Sequence, residues 1–294
     1  MKIKKGVEKK PHLICVYGQS AVGKTTFASK FSRPLFICAE NGLGEIGSDR
    51  VEISTMKELD DVIKSNLTAY DTLVIDSLDW LESIIYRDMM ARYGVDTLTK
   101  CGGGYGAYVG IALAIWQDLI RKLNDLRNDG KNIVLIAHYQ IKAFNDPASE
   151  SPYDKYQLKL QDRVSSLIKE WVDVLLFASF EIFVNKAQGM QKNKAVSTGE
   201  RIAHVKPNAA FDAKTRFKLP DSFEFSYDAF VKAFNQNDQI ISNEMVMELG
   251  LLLSKCDDET REKAQSYLSV NTSFEACSVT IDRLKELTKG TKNV

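Results

Sequence analysis

The chain has 294 residues, of which 44% are apolar and 27% are charged, as is typical of a folded globular protein. Lysine plus arginine and aspartate plus glutamate each number 39, so bulk charge does not indicate nucleic-acid binding. The five cysteines lack Cys-x-x-Cys spacing, which favours reduced thiols in a cytoplasmic compartment and argues against a zinc site. No run approaches the roughly 18 apolar residues of a membrane span, so no membrane partner is expected.

The first half of the chain alternates between short apolar runs and amphipathic segments. Thr55 and Glu58 form a capping-box pattern at the start of a predicted helix. A long amphipathic helix is predicted over 107–130, where a glycine ends it. Strands buried on both faces are predicted within the runs 12–17, 34–40, 70–81 and 132–141. Strands that alternate with helices in this way predict an α/β fold with a mostly parallel central sheet.

The pattern changes in the second half of the chain. Two apolar runs, 171–184 and 199–207, flank a polar segment and predict a long β-hairpin at one side of the sheet. Residues 235–239 are predicted to be a linker, and three short helices are predicted after it. We therefore expect a main domain over residues 1–237 and a small helical domain over residues 238–294.

The segment VYGQSAVGKTTFASKF contains the phosphate-binding loop pattern Gly-x-x-x-x-Gly-Lys-Thr. Its glycines allow backbone N–H groups to surround an anion, and the helix that follows adds its positive end. Lys24 is expected to reach the β- and γ-phosphates, and the Thr25 hydroxyl is expected to bind Mg²⁺. The residues predicted to hold the phosphates are Gly18, Gln19, Ser20, Ala21, Val22, Gly23, Lys24, Thr25 and Thr26.

Carboxylates follow two of the predicted strands. Asp76 ends the run TLVID and is expected to bind the Mg²⁺ shell beside Thr25. The next residue is Ser77 rather than a glutamate, so the general base for an attacking water must come from elsewhere. Glu40 ends the neighbouring run LFICAE and is the candidate base, with Asp79 as its rival. His138 ends a further strand and is a candidate contact to the γ-phosphate.

The segments GQSAVGKT, LFICAE, TLVIDSLDWL and NIVLIAHYQI follow the order and spacing of the RecA-like recombinase core. The strings RIAHVKPNAAFDAKTRFKLP and YQLKLQDRV, with EWVDVLLFASFE, narrow the resemblance to phage-encoded, core-only RecA-like ATPases. These proteins are grouped with single-strand annealing recombinases. The resemblance covers about residues 10–228.

This resemblance implies an ATPase that uses ATP and Mg²⁺, assembles as a homo-oligomer on single-stranded DNA, and promotes annealing or recombination of a phage genome. It carries the nucleotide roles onto residues 18–26, Glu40 and Asp76. RecA-like filaments also place basic residues of one subunit against the nucleotide of the next, and the candidates are Lys214, Arg216 and, second to them, Lys206. About eleven residues precede the first strand, so stable filaments without DNA are not expected. By analogy alone, a single-strand-binding protein is a candidate partner of the C-terminal helices.

In RecA-like folds, the loops after the third and fourth core strands face DNA. The first such loop is the glycine-rich segment 97–108, in which Tyr105 or Tyr108 is expected to stack on an unpaired base beside Lys100. The second is 140–163, where the candidate DNA contacts are Lys142, Phe144, Lys155, Lys159 and Arg163. Neither segment is a dense basic stripe, so we expect affinity that depends on assembly and on salt.

Three other classes compete with this reading. A small-molecule kinase usually has an arginine-rich lid, which 97–108 lacks. A GTPase would carry the guanine-reading motif Asn-Lys-x-Asp, which the sequence does not contain. An ATP-gated scaffold that recruits replication partners through the C-terminal helices stays open, and mutation of Glu40 separates it from an ATPase.

Overall fold

The computed structural model describes residues 10–40, 47–147, 150–185, 194–239, 243–270 and 274–290. The strands are β1 (Leu13–Gly18), β2 (Pro34–Cys38), β3 (Asp49–Glu52), β4 (Thr72–Asp76), β5 (Asn132–Phe144), β6 (Tyr153–Leu158), β7 (Val174–Asn185), β8 (Lys194–His204), β9 (Lys214–Thr215) and β10 (Ser222–Glu224). The helices are α1 (Lys24–Ser29), α2 (Met56–Lys64), α3 (Leu78–Tyr93), α4 (Ala107–Asn128), α5 (Asp162–Trp171), α6 (Tyr227–Gln239), α7 (Asn243–Leu253), α8 (Asp258–Val270) and α9 (Phe274–Gly290), with a 3₁₀ segment at Leu98–Gly103.

A mostly parallel sheet forms the centre of the fold. Its strands follow the order β10-β8-β7-β1-β5-β4-β2-β3. The six strands β7, β1, β5, β4, β2 and β3 are parallel to one another. The predicted hairpin is present as the antiparallel pair β7 and β8, which extends the sheet beyond β1. The α/β class with a mostly parallel sheet is therefore confirmed.

The register of the central strands brings their carboxyl ends to one edge of the sheet. Gly18 at the end of β1 pairs with His138 of β5, and Cys38 of β2 pairs with Asp76 of β4. The strands β1, β4 and β5 are almost wholly buried in these stretches, as continuous apolar runs predict. The sheet thus delivers the ends of four strands to a single site.

Local sequence signals account for several of the helix boundaries. Thr55 and Glu58 form the predicted capping box: the Glu58 N–H donates to the Thr55 hydroxyl, and the Glu58 carboxylate accepts from the Thr55 N–H. The predicted linker at 235–239 is wrong, because these residues lie in α6.

The segment 140–163 differs from the predicted loop. Residues 139–144 of β5 pair antiparallel with residues 153–158 of β6, and α5 follows. We call this pair the β5–β6 hairpin. Over residues 140–144 of β5, half-buried and exposed residues alternate, as in a strand with one solvated face, whereas in β6 only Asp154 is exposed.

The chain divides into two compact units, Met1–Ala229 and Phe230–Val294. The predicted domain boundary at 237 and 238 lies within α6 and stays a prediction. In the second unit, Leu252, Ile281 and Leu284 form a small buried cluster. An ion pair of 2.7 Å joins Lys285 to Glu248 across α9 and α7.

Candidate functional site

The phosphate loop between β1 and α1 depends on two glycines with positive φ. Gly18 has a φ of +151°, and a Cβ there would lie 1.8 Å from the carbonyl oxygen of Ala178 on β7. Gly23 has a φ of +99° and is the N-cap of α1. Gln19, which follows Gly18, forms two hydrogen bonds to β7: its N–H donates to the Ala178 oxygen at 3.2 Å, and its Oε1 accepts from the Phe180 N–H at 2.9 Å. The loop is therefore fixed to the sheet by close backbone contact.

Lys24 lies with its ammonium group inside the loop. Its Nζ donates to the backbone oxygens of Gly18 at 3.1 Å and Gln19 at 2.8 Å, and the residue is buried. Burial lowers the pKa of Lys24, while the carboxylates of Asp76, Asp79 and Glu40 oppose this shift. A cation held this way, with anions nearby, is placed to neutralise phosphate oxygens.

Thr25 and Asp76 form the expected metal-binding pair. The Thr25 hydroxyl donates to Asp76 Oδ2 at 2.9 Å. Burial raises the pKa of Asp76, against the opposing effect of this hydrogen bond. A hydroxyl and a carboxylate beside a phosphate loop offer only hard oxygen ligands, which fit Mg²⁺ rather than zinc or copper.

One cavity of about 350 Å³ is lined by most of the predicted nucleotide residues, but not by Gly18, Gln19 or Val22. Glu40 lies two residues beyond β2, Asp76 ends β4 and His138 lies within β5, and all three line the cavity. Ile136 also lines the cavity, although the sequence did not single it out. The lining from the loop is Ser20, Ala21, Gly23, Lys24, Thr25 and Thr26. Glu40 is partly exposed, as a group that must reach a water molecule requires.

Asp79, the rival candidate for the base, lies outside this cavity's lining. It is buried and accepts hydrogen bonds from the Ser77 hydroxyl at 3.0 Å and from the His138 N–H at 3.1 Å, while His138 Nδ1 lies 3.1 Å from both carboxylate oxygens. Burial alone would raise the pKa of Asp79, but the hydrogen bonds from His138 and Ser77 bring it below its usual value. Asp79 is therefore placed to orient His138, which favours Glu40 as the base.

The cations predicted to act on a neighbouring subunit are engaged within their own chain. Lys214 Nζ donates to the carbonyl oxygens of Lys169 and Glu170 at the end of α5, at 2.9 and 2.7 Å. Arg216 lies 3.1 Å from Asp173, and Lys206 pairs with Asp221. The β9 strand, which contains Lys214, pairs with the first residues of β7, at the edge of the sheet away from the phosphate loop. In this chain they are not part of the site, and their action on a neighbour stays a prediction.

In the first predicted DNA-contacting segment, Tyr105 is fully exposed with a φ of +50°. Lys100 is paired with Asp96 at 2.7 Å on an exposed surface. Tyr108 lies in the first turn of α4, half-buried and edge-on to Tyr86. Of the two tyrosines, Tyr105 has the ring that an incoming base could reach.

In the second segment, the predicted residues divide between the β5–β6 hairpin and α5. Lys155 is paired with Asp212 at 2.7 Å, is largely buried, and lies over the Phe144 ring at 4.9 Å. Lys142 pairs with Asp162, while Arg163 is exposed in the first turn of α5. Lys159 is exposed and lies 3.8 Å from Asp79 Oδ2.

Arg201 on β8 is near the phosphate loop, and the sequence reading missed it. Its Nη1 would lie 2.8 Å from a Cβ placed on Gly23. It also lines a second cavity, which adjoins the first at Gly23 and Thr26. Only the strand register reveals this, because β8 pairs Arg201 with Phe180, two residues beyond the Ala178 that pairs with Gly18.

The loop, the buried lysine and the Thr25–Asp76 pair at the carboxyl edge of a mostly parallel sheet define a P-loop nucleotide-binding protein. A family model described as AAA domain matches residues 10–217. The chain therefore belongs to the AAA domain family of P-loop ATPases.

Individual proteins resemble the chain more distantly. It is 24% identical over 243 residues to the SPbeta prophage-derived uncharacterized protein YorG of Bacillus subtilis (strain 168), which covers 79% of this chain and 67% of that protein. The flagellar accessory protein FlaH of Methanocaldococcus jannaschii is 13% identical with a TM-score of 0.35, covering 70% of this chain and 91% of its own. A KaiC-like protein of Pyrococcus horikoshii OT3 is 12% identical with a TM-score of 0.37, covering 71% of this chain and 83% of its own. These structural likenesses are weak, so the sheet order itself defines the fold.

Within the described ranges, none of the helices combines the length and apolar character needed to cross a bilayer.

Proposed function

We propose that the protein hydrolyses Mg-ATP at the cavity beside the phosphate loop and that single-stranded DNA stimulates this reaction. The observation that carries the proposal is the shared lining: Glu40, Asp76 and His138 face one cavity with Lys24 and Thr25. Membership of the AAA domain family supports ATP as the substrate.

The chain's own residues supply most of the chemistry. Backbone N–H groups of the loop and the Lys24 ammonium bind the phosphates and oppose the charge that develops on them. Glu40 accepts a proton from the attacking water while the water oxygen forms a bond to the γ-phosphorus. The bond between the γ-phosphorus and the β–γ bridging oxygen breaks at the same time, and the products are ADP and phosphate. Asp79 orients His138, which lines the cavity and would contact the γ-phosphate. Mg²⁺ held by Thr25 and Asp76 would supply further neutralisation of the phosphate oxygens.

The proposal also includes an action on single-stranded DNA. The RecA-like motif order and the prophage origin named for the relative from Bacillus subtilis support action on single-stranded DNA in annealing or recombination of a phage genome. Tyr105 presents an exposed ring for base stacking, and assembly of several subunits on one strand supplies the affinity that a neutral chain lacks.

Hydrolysis assays with and without DNA test both parts. Turnover should rise with a single-stranded oligonucleotide and respond less to duplex DNA. Glu40→Gln should bind ATP but lower turnover by about 10²–10⁴-fold, the usual contribution of a general base. Glu52→Gln is the matched control, because Glu52 is exposed at the end of neighbouring β3.

Three results would contradict the proposal. Turnover by Glu40→Gln equal to that of the parent would remove Glu40 as the base. Absence of any response to DNA, with no retention on a single-stranded oligonucleotide at low salt, would remove the DNA role. ATP binding without hydrolysis in the parent would leave the ATP-gated scaffold.

A further inference from the structure

A second cavity, of about 280 Å³, lies on the other side of Gly23 and Thr26 from the Glu40 cavity. We call it the α1 hollow. Its volume is just below the range of about 300–1,000 Å³ found for small-molecule sites. Its walls are the outer face of α1, the chain at 225–228, and Arg201 of β8.

The α1 hollow combines an aromatic wall with a few polar groups. Phe27 and Phe225 stack at 5.1 Å between ring centroids, and Tyr227 meets Phe27 edge-on at 6.3 Å. Asp228 and Lys30 add opposite charges to the lining. Apolar and aromatic walls with a small number of polar groups are the usual composition of a small-molecule or cofactor site.

The guanidinium of Arg201 has no hydrogen bond or ion pair to any residue in the described ranges. It nevertheless lies directly over the phosphate loop, 2.8 Å from where a Cβ of Gly23 would be. This differs from Lys206, Lys214 and Arg216, each of which is engaged by groups of its own chain. An arginine above an anion-binding loop, with no partner among the described residues, has its donors available for a phosphate.

The direction of the nucleotide follows from the two cavities. The γ-phosphate end must lie with Lys24, Glu40 and Asp76, because these groups are suited to the phosphoryl group that is transferred to water. The remainder of the molecule then passes Gly23 and Thr26, the two residues that line both cavities, and enters the α1 hollow.

We propose that the α1 hollow binds the nucleoside of the bound nucleotide and that Arg201 donates hydrogen bonds to the phosphate next to the sugar. This rests on the proposed ATPase function and adds the residues that recognise the rest of the substrate. It also makes Arg201, a residue of the β7–β8 hairpin, a substrate contact supplied from within the same chain.

Two measurements on the full chain test this. Photolabelling with 8-azido-ATP should modify residues 222–230 or 26–31, and unlabelled ATP should compete. Arg201→Ala should weaken ATP binding about ten- to a hundredfold, as expected for loss of a hydrogen bond to a charged group, and Arg201→Lys should weaken it less. Arg121→Ala is the control, since Arg121 is an exposed arginine on α4 that pairs with Asp118.

The outcomes separate this proposal from the function on which it rests. If the parent binds and hydrolyses ATP while Arg201→Ala binds it equally well, the role of Arg201 is wrong. If the label is found on α3 or near Glu40, the assignment of the α1 hollow is wrong. If the parent binds no ATP with Mg²⁺, the proposed function itself fails.

Discussion

Replacing Gly18 with alanine tests how the phosphate loop is attached to the sheet. The added Cβ would lie 1.8 Å from the Ala178 oxygen, whereas such contacts essentially never fall below 3.0 Å, so β1 and β7 would have to separate by about 1.2 Å, the difference between the two. The φ of +151° adds backbone strain of about 1–3 kcal/mol. Forcing the extra methyl group between β1 and β7 should cost a further amount of about 1–3 kcal/mol. Together the two contributions should lower the free energy of unfolding by about 2–6 kcal/mol.

Urea unfolding followed by circular dichroism measures this loss, and binding of ATP measures its effect on the loop. Gly94→Ala is the matched control, because Gly94 also has a positive φ, +62°, but a Cβ there would meet nothing within 4 Å. It should cost only about 1–2 kcal/mol of backbone strain. Equal destabilisation by the two substitutions would refute the close approach of β1 and β7 at Gly18.

Three further outcomes are expected. Burial raises the pKa of Glu82 to about 6 from its ordinary 4.5, so between these pH values the folded chain holds a proton that the unfolded chain releases. The free energy of unfolding should therefore fall by up to about 2 kcal/mol as the pH rises from 4.5 to about 6. Urea titrations of Glu82→Gln should not show this pH-dependent loss. Asp79→Asn should lower kcat for ATP by about ten- to a hundredfold with little change in KM, because His138 loses its orienting carboxylate; a changed KM with constant kcat would contradict this. Tyr105→Ala should weaken binding to a labelled single-stranded oligonucleotide by about 1–3 kcal/mol in fluorescence anisotropy, whereas Tyr93→Ala, also an exposed tyrosine, should not.

The nucleotide cavity could largely be predicted from the sequence because its parts are local. The loop pattern specifies Gly23, Lys24 and Thr25 by spacing, and short apolar runs that end in carboxylates specify Glu40 and Asp76. In a parallel sheet, the carboxyl ends of such runs meet at one edge whatever their order, so no knowledge of strand neighbours was needed.

Contacts that depend on strand order and register could not be predicted in this way. Arg201 reaches the loop only because β7 lies beside β1 and β8 pairs with β7 at Phe180, and neither neighbour is specified by local pattern. The β5–β6 hairpin was missed for a related reason. Its second strand is Tyr153–Leu158, in which two aromatic residues flank Asp154 and Lys155, but the preceding cluster of proline, serine and acidic residues indicated a loop.

The contacts of Arg216 bear on whether it can serve a neighbouring subunit. Asp173, its partner, is buried and also pairs with Arg127, whose Nε donates to the Pro11 oxygen. Because Arg127 keeps that carboxylate compensated, Arg216 can leave without creating an unpaired buried charge, which would otherwise cost several kcal/mol. Lys214 and Arg216 both donate to the Glu170 carbonyl, so that oxygen keeps one donor whichever cation leaves. The Lys169 carbonyl near the end of α5 would lose its Lys214 donor. If only one of the two cations moves to the nucleotide of a neighbouring subunit during assembly, Arg216 should be that cation, because its departure leaves fewer groups of its own chain without a partner.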